Sequence, residues 1–227
     1  MYIFAHRGAS GHFPENTLLA IEQALLAKAD GIEIDVFCVE GELVVIHDAN
    51  VSRTTNGKGR LNNFTLAQLQ KLDAGQGQHI PTLWQVLQLV NNQCLLNIEL
   101  KGSDTAAPLL SLLIKAQLEL GTDPQLLLIS SFNHQLLMQV KQQRPELKLG
   151  ALTASLPKDY AQFAQDLSAW SVNCDKDFIN ELMIKDAHQR GLKVLVYTVN
   201  DAETTQQLRD LGVDGIFCNF PAEARHW

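Results

Sequence analysis

The chain has no basic run: its 18 Lys and Arg are outnumbered by 25 Asp and Glu, for a formal net charge of −7 over 227 residues. Gripping nucleic-acid phosphates or an anionic membrane surface requires the opposite balance, so neither is expected as a partner. A Cys-x-x-Cys pair is also missing. Cys38, Cys94, Cys174 and Cys218 stand far apart, which argues against zinc or dithiol redox chemistry and leaves free, buried thiols as the expectation. No apolar run nears the roughly 20 residues of a membrane span, and the start Met1–His6 is too short and lacks the basic residues of a secretory leader. The expected setting is the reducing cytoplasm, without stable membrane insertion. The glycine-rich turn G-x-G-x-x-G of dinucleotide-binding folds is absent, as are low complexity and internal repeats. Oligomeric state has no signature in the sequence.

What remains is a chain of 46% hydrophobic residues, long enough for one substantial domain over residues 1–227. Strand-like apolar runs are predicted at 2–6, 31–37, 94–101, 126–131, 147–152, 169–173, 193–198 and 215–218. Between them lie segments with helix-spaced apolar residues, such as Leu18, Ile21 and Leu25, or Leu109, Leu112, Leu113 and Ala116. Eight β-α units favour an α/β fold of the closed (β/α)8 TIM-barrel type, with an open doubly wound sheet as the alternative. One segment breaks the alternation. Residues 48–80, polar and turn-rich at first, carry Thr65-Leu66-Ala67-Gln68 in capping-box form and read as a small insertion after the second strand.

The chemistry concentrates at predicted strand ends. In Gly31-Ile32-Glu33-Ile34-Asp35-Val36 the alternation of a strand puts Glu33 and Asp35 on one face and the aliphatic residues on the other. Two carboxylates in one small, buried volume repel each other unless a proton, a cation or a metal intervenes. The run Asn97-Ile98-Glu99-Leu100-Lys101 repeats the pattern, and in a barrel Glu99 converges with Glu33 and Asp35. Three carboxylates suit Mg2+ or Ca2+ better than zinc, while Lys101 becomes a candidate for neutralising phosphate. His6 and His47 end two apolar runs, and two imidazoles beside a metal can divide acid and base work. Arg7 offers a forked guanidinium for phosphate oxygens, with an ion pair to an inner carboxylate as the plain alternative. Asn16 has the residue type of a helix N-cap and equally can turn its side chain into the site.

Taken in order, His6-Arg7-Gly8, Pro14-Glu15-Asn16-Thr17, Glu33-Ile34-Asp35, His47-Asp48, Arg53-Thr54-Thr55-Asn56-Gly57, Asn97-Ile98-Glu99-Leu100-Lys101, Ser130-Ser131-Phe132 and Val196-Tyr197-Thr198-Val199-Asn200 resemble the glycerophosphodiester phosphodiesterase family. The resemblance implies a TIM barrel that hydrolyses small glycerophosphodiesters to sn-glycerol 3-phosphate and an alcohol, with water or the substrate's own hydroxyl as the attacking oxygen. It further implies a divalent ion on Glu33, Asp35 and Glu99, acid-base work by His6 and His47, with His6 as the base, phosphate contacts from Arg7, Asn16 and Lys101, and an aromatic surface from Phe132 and Tyr197. Two positions depart from the family's common pattern: Tyr197 stands where tryptophan is frequent, and Asn219 where aspartate is. A lysophospholipase D-like activity on membrane lipid would need an interfacial face that this chain, with 7% aromatics and no basic amphipathic helix, does not advertise. A catalytically silent barrel that only binds would have no use for such costly carboxylates and histidines.

Overall fold

Eight parallel strands close on themselves in the computed structural model, which describes residues 1–227. They are β1 (Tyr2–His6), β2 (Gly31–Val39), β4 (Leu95–Leu100), β5 (Leu127–Ser131), β6 (Lys148–Thr153), β7 (Ser171–Asp175), β8 (Lys193–Tyr197) and β9 (Gly215–Cys218), with β1 paired to both β2 and β9. The ninth strand, β3 (Glu42–Val45), runs antiparallel along the far end of β2. Helices α1 (Leu18–Leu26), α3 (Leu83–Val90), α4 (Ala106–Leu120), α5 (His134–Gln143), α6 (Gln162–Asp166), α7 (Glu181–Gln189) and α8 (Ala202–Asp210) lie between strands. The closed (β/α)8 barrel predicted from the alternation is what forms, and none of its helices is long and apolar enough to cross a membrane.

The strands read as near-continuous apolar runs because both faces are covered. Ile32, Ile34, Val36, Ile98 and Leu100 belong to a 48-residue core cluster that also takes in Ile21, Leu109 and Leu113 from the helices. Inside the barrel Phe4, Leu128, Leu195 and Phe217 form a separate apolar plug, with the Phe4 and Phe217 ring centroids 5.0 Å apart. Register then sets what stands on the inner face. His6 pairs with Glu33, Glu33 with Asn97, and Asp35 with Glu99. Partners across parallel strands point to the same side, so these residues line the barrel together.

Several boundaries shift by one or two residues from the sequence expectation. Leu126 belongs to a 3-10 turn before β5, β6 and β7 each end later than expected, and Thr198 falls past the end of β8. The hairpin to β3 was not among the predicted strands. It turns through Glu40 and Gly41, both with positive φ (52° and 84°), the geometry of a two-residue type I′ turn. Between β3 and α3 the insertion carries a short helix, α2 (Leu66–Leu69), begun by the predicted Thr65–Gln68 capping box. It has its own core of Val51, Leu61, Leu69 and Ile80 packed against Val44 and Ile46.

Asn16 does not cap α1. Thr17 does, its hydroxyl accepting from the Ala20 amide, and Asn16 takes a left-handed φ of 59° instead. Asparagine tolerates that conformation better than most residues, and the twist frees its side chain to face inward.

Candidate active site

Glu33, Asp35 and Glu99 present carboxylate oxygens that lie within 4.8 Å of one another. Glu33 and Asp35 are buried and Glu99 nearly so. Burial, then repulsion from Asp35 and Glu99, pushes the Glu33 carboxyl well above the usual range. Glu99 is raised by burial and by Asp35 against the pull of Lys101. Glu33 Oε1 is buried with no hydrogen-bond partner, while its Oε2 accepts from the Arg7 amide at 3.0 Å. Asn16 holds Asp35 from both ends, donating Nδ2–H to Oδ2 at 2.9 Å and accepting the Asp35 amide at 3.3 Å.

This set passes a direct test for a divalent cation. Five carboxylates around the site (Glu15, Glu33, Asp35, Asp48 and Glu99) meet three fixed cations, Arg7, Arg53 and Lys101. The formal excess of two negative charges equals the charge of one divalent ion. The donors are all oxygen and one buried oxygen lacks any partner, as a hard cation such as Mg2+ or Ca2+ requires.

The two histidines flank the carboxylates. Asn219 Oδ1 sits 2.8 Å from His6 Nδ1; an amide oxygen only accepts, so the proton lies on Nδ1 and the Nε2 lone pair is open. His6 Nε2 is 4.0 Å from Glu33. Burial and the neighbouring Arg7 charge lower the His6 pKa to about 4, which keeps the ring neutral. His47 is likewise oriented through Nδ1, by the carboxylate of Asp48, whose Oδ1 lies at 2.6 Å, and Lys101 Nζ approaches His47 Nε2 at 3.3 Å. Asn219 thus acquires a role that its departure from aspartate did not suggest: it orients His6 without adding a charge.

Lys101 donates to Glu99 at 2.7 Å and stands 3.6 Å from Asp35. Burial disfavours its ammonium, but Glu99 and Asp35 outweigh that and its pKa is raised. Arg7 lies 3.4 Å from Asp35 through Nε, which makes no hydrogen bond, and donates to Glu15 at 2.8 Å. Arg7 itself holds a φ of 58°, with Gly8 next in line. A Cβ on Gly8 would come within 2.6 Å of the Ala20 backbone, so only glycine lets β1 turn tightly against α1 here.

A cleft of about 190 Å³ opens above this cluster, lined by His6, Arg7, His47 and Lys101 on one side and by Phe132, Tyr197 and Leu152 on the other. Phe132 is half-exposed and meets Tyr197 edge to face at 6.1 Å. Tyr197 donates its hydroxyl to the Thr153 carbonyl. The structure brings together every residue singled out from the sequence, with Asp35 and Asn16 buried behind the cleft wall and not lining it. The sequence reading gave no role to Glu15, Asp48 or Arg53. Their acidic and basic types at fixed offsets from His6 and His47 were the available signal, but pairing across three loops is not visible in a linear chain.

Comparison with known proteins places this geometry. A family model described as the Glycerophosphoryl diester phosphodiesterase family matches residues 6–223. A glycerophosphodiester phosphodiesterase of Caldanaerobacter subterraneus subsp. tengcongensis is 38% identical over 96% of this chain and 94% of its own length. Another, from Bacillus altitudinis, is 35% identical over 98% and 96%. Among solved structures, an Oleispira antarctica phosphodiesterase in complex with the product sn-glycerol-3-phosphate superposes with a TM-score of 0.92 at 30% identity, covering 100% of this chain and 96% of that one.

Proposed function

Because the chain belongs to the glycerophosphoryl diester phosphodiesterase family and is therefore a phosphoric diester hydrolase, we propose that it hydrolyses small glycerophosphodiesters to sn-glycerol 3-phosphate and an alcohol, using a divalent ion and two histidines. The observation that carries this reading is the convergence of Glu33, Asp35 and Glu99 with His6 and His47 at the mouth of one cleft. The product-bound Oleispira relative supports the substrate class. Four free cysteines agree with work in a reducing cytoplasm.

Glu33, Asp35 and Glu99 would hold Mg2+ or Ca2+, which when bound supplies Lewis-acid polarisation of a phosphoryl oxygen. Arg7 and Lys101, both on the cleft wall, attract the diester's phosphate and offset its charge. Asn16 fixes the Asp35 carboxylate in the orientation in which it would ligate the ion. The open Nε2 of His6 takes the proton from the attacking oxygen, whether that oxygen belongs to water or to the glycerol moiety. His47, held through Nδ1 by Asp48, delivers a proton from Nε2 to the departing alkoxide. Phe132 and Tyr197 give the organic part of the substrate an apolar wall.

The test is release of sn-glycerol 3-phosphate from glycerophosphocholine and glycerophosphoethanolamine with added Mg2+ or Ca2+, with EDTA, and with His47→Ala. Activity lost in both controls is the expected result. Absence of activity on both esters with either ion would overturn the reading, and binding to phospholipid vesicles would then point to a lipid-directed enzyme.

A further inference from the structure

Arg53 lies outside the cleft lining, half-exposed in the insertion, yet it joins the two sides of the active site. Its terminal nitrogens donate in a fork to both oxygens of Glu15 at 2.7 and 2.8 Å, and its Nε donates to Asp48 at 2.5 Å. Glu15 is the carboxylate that holds the Arg7 guanidinium, and Asp48 is the one that holds His47 Nδ1. Burial opposes the charge on Glu15, but Arg53 and then Arg7 outweigh it and keep the group ionised. One guanidinium thus sets the orientation of a phosphate-binding arginine at the end of β1 and of a histidine beyond the end of β3.

The insertion holds Arg53 in place. Val51, two residues before it, is fully buried in the insertion's own core. Thr55, two residues after, ties its hydroxyl to the Val51 carbonyl at 2.7 Å. Asn56 is locked to Asp73 by a reciprocal pair of hydrogen bonds to and from the backbone, at 3.0 Å each. A long side chain normally loses much rotamer freedom when fixed, and a clamp on two carboxylates works only if its base is rigid. The insertion supplies that base.

We propose that Arg53 is a positioning residue of the hydrolysis, clamping Glu15 and Asp48 so that Arg7 and His47 face the substrate together. The inference rests on the function proposed above and assigns the insertion a task in catalysis. Lysine cannot replace the arginine: a single ammonium lacks the planar fork that reaches three oxygens on two carboxylates.

The experiment compares the full-length wild type with Arg53→Ala, Arg53→Lys, Asp48→Asn and the Arg53→Ala/Asp48→Asn double variant. It measures kcat and KM on glycerophosphocholine, circular dichroism, and the His47 Nδ1 proton by NMR. Arg53→Ala is expected to lower kcat/KM roughly 10- to 100-fold, as loss of a partner that orients a working histidine commonly does. The change should fall on kcat through His47 and on KM through Arg7. The double variant should be no worse in kcat than Asp48→Asn, because both act on one histidine. Arg53→Lys should stay impaired, free guanidinium should partly restore Arg53→Ala, and the His47 Nδ1 resonance should shift in Arg53→Ala with the fold intact. Full activity of Arg53→Lys, additive losses in the double variant, or an unmoved His47 resonance in a folded Arg53→Ala would each overturn the proposal. A wild type inactive on every diester would sink the proposed function instead, and the NMR comparison would still decide whether Arg53 positions His47.

Discussion

Glu33 carries the sharpest conflict in the molecule, a buried carboxyl facing two others with one oxygen left without a partner. Its amide substitute keeps the shape and removes the charge. Glu33→Gln is therefore expected to lower ion-dependent turnover at least about a hundredfold, since even partners of metal ligands cost 10- to 100-fold when removed. Thermal melting without added ion should be no lower than wild type, because a buried repulsion has been relieved. Retained full activity would remove Glu33 from the site. Asp48 gives the opposite titration. Hydrogen bonding to Arg53, against a small burial cost and aided by His47, draws its pKa from 3.8 to about 2. A depressed carboxylate adds stability above its ordinary pKa and loses it as pH falls through the folded value. Between pH 4 and 2 the insertion of the wild type should therefore open more readily as pH drops, a slope read by amide exchange that Asp48→Asn should flatten. The strand carboxylates and both histidines were legible in the sequence because period-two alternation and strand ends are local patterns. The hydrogen-bond partners were not, since Asn219 lies 213 residues from His6 and Arg53 lies 38 from Glu15.

At the scale of elements, α1, α2 and α3 start where side-chain caps of Thr17, Thr65 and Thr82 satisfy free amides. The Thr65–Gln68 capping box could be read directly, whereas at α1 Asn16 and Thr17 are adjacent and both are good cap types. Only the inward pull of Asp35 on Asn16 decides between them. The apolar run that ends at His47 is visible in the sequence, but its antiparallel pairing with β2 is not, because Glu40-Gly41 lacks the asparagine or aspartate that marks most such turns and because the strand is four residues long. That hairpin leads into the insertion, whose core is separate from the one between barrel and helices. Leu69 is fully buried there. Leu69→Ala should cost about 2–5 kcal/mol in a site that cannot collapse, seen as faster amide exchange across α2 and its flanking turns. Activity should fall with it, because Arg53 loses its support. Unchanged exchange in the insertion would show that its core does not act as a unit.

At the scale of the whole molecule, the eightfold alternation made the barrel legible, while its interior was hidden. Phe4, Leu128, Leu195 and Phe217 come from four strands that are apolar on both faces, so no pattern says which residues turn inward. Closure also depends on Gly31, where an added Cβ would lie 2.3 Å from the Phe4 ring, a contact between β1 and β2 that the local sequence does not predict. The carboxylates of β2 and β4 sit above that plug, so their repulsion bears on the closed barrel and not on one loop. Binding an ion there should stabilise the whole fold. An ion at a hundred times its dissociation constant adds about 2.7 kcal/mol to a folded state that alone binds it. For a chain of this size each kcal/mol moves the melting temperature by about 2–4 °C, so Mg2+ or Ca2+ should raise it by roughly 5–11 °C over the EDTA-treated protein. The rise should track ion concentration and be absent in Glu33→Gln. An equal rise in that variant would place the ion elsewhere, and no rise with either ion would mean that the three carboxylates do not hold one.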